Sequence, residues 1–474
     1  MKFFLKYLLL ISMAIGVALL YLLKTELGHK KLDSLVQNYL SQKTYNKIKV
    51  QSLNLEAYPN LVVKLQINDT AKVILKGTVD NYKVNMNYHL IGDSFKFNSF
   101  YLKEKIDIQG EFVGTFDNLN ITGKGRFIDG FIEYNFIKIP TKIKDLNISI
   151  RQVNSRKLLR FLEQKTVVDG LADIEAKFSS FSRYAKQGQV KIDINKATIP
   201  QVAKDISFVI NSTIDFQNVE YRYRANISSK IGEMRLYNGY YHEGKKIADV
   251  DYDVQLKDLS YFKKMLKRKY QGELEIKGTL LYDTHREELI IKGNTKQFGG
   301  DLTYLYQKDT LELKLKSLSL EYLLKSFSYP VLLTSSIDGV IKFNILENRM
   351  IANTNLRDTR FVKSKFTDMI YKKAEIDMLA DVYDKSYFSA GYEMDKLSLT
   401  LKIDNGKDYI EIDDATINIV DSKINSNFEI KIQEEDIFGK IYGTLDKPKV
   451  WIDKEKFIEY HADKYLGSWL DTNK

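Results

Sequence analysis

The sequence predicts a mainly β protein: an elongated, curved antiparallel sheet forming an apolar groove, with an N-terminal transmembrane helix and a few short amphipathic helices. Three observations predict it. Apolar and polar residues alternate with period two along most of the chain, the pattern of strands with one apolar and one polar face. Only five prolines interrupt that pattern, at Pro59, Pro140, Pro200, Pro330 and Pro448, and β-ladders tolerate few. One N-terminal run is long and apolar enough to cross a bilayer. The expected organisation is an anchor at 1–24, an N-terminal β region at 25–150, a repeated helix-hairpin β-groove region at 151–450 and a C-terminal amphipathic helix at 451–474.

The anchor comes first. Tyr7–Leu23 holds 17 residues without a charge, and Phe3–Leu5 extend it across Lys6. A bilayer core needs about 20 residues at about 1.5 Å rise each, and a lysine near the end can snorkel to the interface. Tyr7, Leu10, Ile15, Leu20 and Leu23 carry this segment. A cleaved signal peptide has a shorter apolar core and a small-x-small site after it; Leu19–Leu27 offers no such site, so an uncleaved anchor is expected. Lys2 and Lys6 before the segment nearly balance Lys24, Lys30 and Lys31 after it, so charge alone leaves the orientation open. No second span appears, which puts everything from Thr25 onwards on one side.

Strands follow. Val84, Met86, Tyr88 and Leu90 share one parity, as do Ile106, Ile108, Gly110 and Phe112. The same holds for Ile206, Phe208, Ile210, Ile214 and Phe216, and for Leu311, Leu313 and Leu315. Leu397, Leu399, Leu401 and Ile403 continue it, then Phe428, Ile430 and Ile432. Turn signals separate the runs at Asp117–Asn120, Leu346–Arg349 and Asp404–Asp408. Such short connections predict an antiparallel meander, because parallel strands need long crossovers.

Helices are few. One apolar helical face is expected after the anchor (Leu32, Leu35, Val36, Tyr39, Leu40) and one at the C-terminus (Phe457, Ile458, Ala462, Tyr465, Leu466, Trp469). Three internal helices, in Ser155–Phe178, Asp258–Leu280 and Ser319–Phe343, each lead into a glycine-containing alternating strand. Ser155, Asp258 and Ser319 are the expected N-caps. The recurrence points to one supersecondary unit used several times.

Composition sets limits. The net charge is +10, but the densest basic run, Lys263–Lys269, is short and basic residues elsewhere alternate with acidic ones, so nucleic acid is not an expected partner. With no cysteine there is no disulfide, thiolate metal site or thiol nucleophile. His29, His89, His242, His285 and His461 lack metal-ligand spacing, and no phosphate loop or nucleophile elbow occurs. Asp283–Glu288 reads as a solvated hairpin turn. No enzymatic activity, cofactor or metal is expected.

Four pieces of the sequence carry a family resemblance. They are the anchor; the helix and strand of Leu32–Leu65 with Tyr58 and Pro59 at the turn; the repeated helix-then-glycine-strand unit; and Ile441–Asp453, with Gly443, Leu445 and Pro448. In this order they resemble the AsmA-like family of bacterial envelope proteins. The resemblance implies a bridge-like lipid-transfer protein anchored in the inner membrane, with its bulk in the periplasm. It further implies phospholipid as cargo, outer-membrane biogenesis and lipid homeostasis as the role, and an outer-membrane partner or lipid surface at the C-terminal end. The chain is shorter than the largest members of that family.

A one-sided sheet must hide its apolar face. Two sheets packed as a sandwich would do so; a curled sheet filled by acyl chains is the alternative. The candidate lining is Val84, Met86, Tyr88, Ile206, Phe208, Ile210, Leu311, Leu313, Leu315, Leu397, Leu399, Leu401, Phe428 and Ile430. About 400 residues at roughly 11–13 per strand and turn give about 30–36 strands, and about 4.8 Å per strand gives a reach on the order of 150 Å. Two other function classes stay open: a structural or assembly factor for outer-membrane proteins, pairing its sheet edges with client strands, and a surface or adhesion module.

Overall fold

The computed structural model describes residues 37–455, apart from short stretches at 43–45, 55–58, 81, 98–99, 103, 183–184, 200–202, 263–269, 330, 365–366, 369–370, 373–376, 419, 422, 433–434, 445–446 and 454. The expected anchor, with Tyr7, Leu10, Ile15, Leu20 and Leu23, lies outside the described residues, as does most of the C-terminal helix. Among the described residues no helix is long and apolar enough to cross a membrane. The chain is mainly β and divides into two units, Met1–Lys246 and Ile247–Lys474.

The first unit is an antiparallel meander of β1 (Ile48–Asn54), β2 (Asn60–Ile67), β3 (Ala71–Asp80), β4 (Lys83–Gly92), β7 (Ile106–Thr115), β8 (Asn118–Phe127), β9 (Gly130–Lys138), β10 (Ile143–Asn154), β11 (Asp169–Phe181), β12 (Lys186–Ile199), β13 (Ala203–Gln217), β14 (Glu220–Ser229) and β15 (Gly232–His242). Each strand pairs with the next in this order. A separate hairpin of β5 (Phe95–Phe97) and β6 (Phe100–Leu102) is inserted after β4.

The second unit repeats the plan. It runs β16 (Ile247–Leu256), β17 (Leu274–Asp283), β18 (Glu288–Thr295), β19 (Asp301–Gln307), β20 (Thr310–Ser319), β21 (Leu333–Asn344), β22 (Arg349–Phe361), β23 (Ser386–Glu393), β24 (Lys396–Asp404), β25 (Tyr409–Asn418), β26 (Lys423–Ile432), β27 (Glu435–Thr444) and β28 (Lys447–Ile452). Again each strand pairs only with its chain neighbours. Asp283–Glu288 is the β17–β18 turn, where the Asp283 carboxylate accepts from the backbone N–H groups of His285 and Arg286.

Helix α1 (Ser155–Phe161) joins β10 to β11, and α2 (Leu320–Ser326) joins β20 to β21. The two corners are built alike. In β10 the positive-φ residue Gln152 donates its N–H to Asp173 Oδ1 at 2.7 Å; in β20 Ser317, also at positive φ, donates to Asp338 Oδ1 at 3.0 Å. Each bulge turns the next residue, Val153 or Leu318, fully inward. A cap follows and then the helix. Ser319 caps α2 as expected, through Tyr322 N. The cap of α1 is Asn154 rather than Ser155, because the Asn154 side chain reaches Lys157 N at 3.0 Å. Ser155 Oγ instead accepts from Gly170 N and donates to Val168 O, tying the helix to the start of β11.

The central helix of the expected threefold repeat lies mostly outside the described residues; its described start is a 3-10 turn, Leu259–Phe262, between β16 and β17, where the first unit inserts its β5–β6 hairpin. Around the other two helices a larger unit recurs: tyrosine strand, insertion, three strands, a bulged strand, helix, return strand.

Candidate functional site

The inward parity of each unit forms an apolar face, and register aligns its residues in rows across the strands. One row in the first unit reads Tyr88, Gly110, Gly123, Tyr134 over β4, β7, β8 and β9. The second unit has Tyr252, Gly278, Gly293, Tyr304 over β16, β17, β18 and β19. Three inter-strand steps at about 4.8 Å separate the outer tyrosines by about 14 Å, and two flat tyrosine side chains span that only if the strands between them carry no side chain. The glycines supply the room: a β-carbon on Gly110 would sit 2.5 Å from Tyr88 Oη, and one on Gly278 would sit 2.5 Å from Tyr252 Oη.

The tyrosines meet over these glycines. Tyr88 O–H donates to Thr122 O at 2.9 Å, so the Tyr134 hydroxyl is the donor in its contact with Tyr88. Tyr252 O–H likewise donates to Lys292 O at 3.2 Å and receives from Tyr304. Burial raises the pKa of all four, and pushes Tyr134 up to about 12. Both rungs are hydrogen-bonded and uncharged.

Cover distinguishes the two faces. Across β2–β10 the inward residues are shut away: Val63, Leu65, Ile108 and Ile121 are fully buried, and Tyr88 and Tyr134 are each 3% exposed. The described helices of this unit are too short to cover so many strands, so the sheet buries its own face by curling. From β12 onward the face is less covered. Ile192, Ile214, Phe216, Tyr221, Tyr223 and Ile227 are half-buried. In the second unit Leu280, Ile291, Leu302, Tyr304, Leu313 and Ile341 are all half-buried. Two clusters close parts of that unit. Leu315, Leu318, Ile337 and Leu356 pack beside α2, while Met378 and Tyr383 pack on Ile403, Ile410, Ile430, Ile432 and Ile437.

The sequence-predicted lining falls into these classes. Val84, Met86 and Tyr88 on β4 are buried, as are Ile206 and Phe208 on β13, Leu315 on β20 and Ile430 on β26. Ile210, Leu311, Leu313, Leu397, Leu399, Leu401 and Phe428 are half-buried on the less covered stretches. Sequence reading missed Tyr134, Tyr252 and Tyr304, because their role depends on glycines in other strands. It also missed Lys186, an inward position in a strand whose later inward residues are Gly188, Val190, Ile192 and Ile194. That lone lysine on an apolar parity was a readable signal.

A shallow depression of about 930 Å³ lies over the glycine row on the polar face, among Lys76, Asn87, His89, Glu111, Lys124 and Glu133. Its mixed charge and open form leave it solvated. No three His, Asp or Glu side chains among the described residues are grouped to hold a metal ion. Comparison with protein-family models, with curated proteins and with solved structures gives no match.

Proposed function

We propose that this protein is a membrane-anchored periplasmic carrier whose less covered apolar face holds phospholipid acyl chains as they move between the inner and outer membranes, supporting outer-membrane lipid homeostasis. The carrying observation is the half-buried inward face of the second unit, where Leu280, Ile291, Leu313 and Ile341 remain partly open to solvent although their chemistry matches the shut face of the first. Each CH₂ taken from water onto such a surface contributes about 0.8 kcal/mol, and successive rungs of similar residues offer nearly equal wells, so a chain can slide. Head groups stay in water at the open margin.

Pairing of edge strands with client proteins is less well supported. The terminal strand β28 carries Lys447, Pro448 and Lys449, residue types that blunt an edge against added strands. The test is native mass spectrometry of the gently purified full chain. Phospholipid should co-purify, and Leu313→Asp and Leu399→Asp should lower the bound amount while circular dichroism stays unchanged. Undiminished loading in both folded variants would remove these strands from the carrying face.

A further inference from the structure

At one end of the less covered stretch of the first unit, an ionic group sits on the apolar parity. Lys186, at the start of β12, has a side chain only 6% exposed. Its Nζ donates to Tyr221 Oη and to Glu243 Oε2, both at 2.5 Å, and Tyr221 O–H donates to the same carboxylate. Burial alone would lower the Lys186 pKa, but the bonds to Glu243 and Tyr221 outweigh it and the pKa lies above the usual lysine value. Beside this group runs a ladder of rings, Phe178, Phe216, Tyr221 and Tyr241, with centroids 5.2, 4.8 and 5.6 Å apart. Phe178 is buried; the other three are half-buried.

The fold does not demand this lysine. In the second unit the corresponding position is Asn348, which like Lys186 lies ten residues before a positive-φ bulge residue (Asp358 there, Lys196 here). Asn348 Nδ2 donates to Tyr392 Oη, and Tyr392 donates to Asp395. A tyrosine and a carboxylate recur at that end without a buried cation. The two ions of the first unit are also unequal: Lys186 is fixed and dry, whereas Glu243 sits on a turn with its side chain 48% exposed. Losing the counter-charge of a buried lysine is costly, but exchanging it for another anion is not.

We propose that Lys186 and Tyr221 form a head-group site for a phosphate or carboxylate carried on an acyl chain, with Glu243 as its resident stand-in. On binding, the ligand anion takes the place of the Glu243 carboxylate on Nζ, Glu243 turns to water, and the chain lies along Phe216, Tyr221 and Tyr241. This rests on the acyl-chain reading above and adds where a charged head is held.

The test uses the full chain in non-ionic detergent, probed by native mass spectrometry with phosphatidic acid, diacylglycerol of the same chains, and inorganic phosphate. Phosphatidic acid should be retained about tenfold over diacylglycerol, the order expected for a charge-assisted hydrogen bond. Lys186→Met should abolish that preference and leave diacylglycerol unchanged. Glu243→Gln, at a half-exposed position, should raise phosphatidic acid retention severalfold and keeps the test decisive should Lys186→Met fail to fold. Inorganic phosphate should not be retained; its retention to the same degree as the lipid would make this a free-anion site and overturn the proposal. Equal retention of both lipids, or a preference that survives Lys186→Met, would overturn the head-group site while leaving the acyl-chain reading intact. Retention of neither lipid would overturn both.

Discussion

The stretches β4–β12 and β16–β22 have the same design and different cover. Both begin with a tyrosine strand, place two glycines beneath the tyrosine bridge, use a positive-φ bulge held by an aspartate, and turn through a seven-residue helix. From β4 to β10 the inward face is dry; from β17 to β21 much of it is half open, although Val250 and Tyr252 on β16, and Leu315, Leu318 and Ile337 beside the helix, are buried. The difference does not lie in the face itself, since Ile106, Ile108 and Phe112 face inward in β7 as Leu274, Ile276 and Leu280 do in β17. In the first unit β1, β2 and β3 precede the tyrosine strand, with Leu61, Val63, Leu65, Val73 and Leu75 all buried. One design thus serves as a closed core in one stretch and as a more open apolar surface in the other.

The comparison can be broken most forcefully by a buried charge. Ile121→Asp puts a carboxylate in a dry face and should cost about 4 kcal/mol or more, whereas Leu313→Asp, half-buried, should cost about 1–2 kcal/mol. Urea unfolding of the full chain measures both, and equal costs would mean equal cover. Overpacking the glycine rows is the next largest effect. Gly123→Val should destabilise by about 3 kcal/mol because buried Tyr88 and Tyr134 have nowhere to move, and Gly293→Val by about 2 kcal/mol, because half-buried Tyr304 can swing aside whereas the Lys277 carbonyl, 2.5 Å from the new β-carbon, cannot.

Removing one hydroxyl gives a smaller, sharper contrast. Tyr88→Phe strands the Thr122 carbonyl and should cost about 1–2 kcal/mol; Tyr252→Phe should cost under about 1 kcal/mol, since its bond to Lys292 O is longer, 3.2 Å against 2.9 Å, and its partner Tyr304 is half-buried. The smallest difference expected is a control: Asp173→Ala and Asp338→Ala should each cost about 1 kcal/mol, because the bulge bond is the same in both units and independent of cover.

The tyrosine pair also makes a pH statement. Tyr134 is raised by burial to about 12, against ~10 in an unfolded chain. A raised pKa stabilises the folded state fully below the unfolded value, and that contribution is lost as pH climbs from ~10 through about 12. Tyrosinate absorbance followed alongside circular dichroism should find a set of tyrosines that ionise only as the first unit unfolds. Their ionisation at ~10 with the fold intact would mean the pair is wet.

Much of the fold was legible in the sequence because strand alternation is local. The parities at Val84–Leu90, Ile206–Phe216 and Leu397–Ile403 are those observed, and the turns at Asp283–Glu288 and Asp404–Asp408 sit between paired strands. The duplication was only partly legible. The helices at Ser155 and Ser319 revealed it, but its strongest marks, tyrosines over glycines, join residues on different strands that only the register brings together. Cover was not legible at all. Alternation tells which residues face inward, not whether the sheet closes over them, so Met86 and Leu313 look alike in sequence and differ in exposure. Lys186 was legible as an exception to parity and needed Glu243, far along the chain, to acquire a meaning.

The most direct measurement is photo-crosslinking of the full chain with a phospholipid bearing a photoreactive group along its acyl chain, read out by peptide mass spectrometry. Adducts are expected on the half-buried positions of the second unit, Leu311, Leu313, Ile341 and Leu399, and not on Ile108, Ile121 or Val63 of the first. Labelling confined to the closed face, or no labelling of either face above a detergent control, would contradict a carrier that works through its open half.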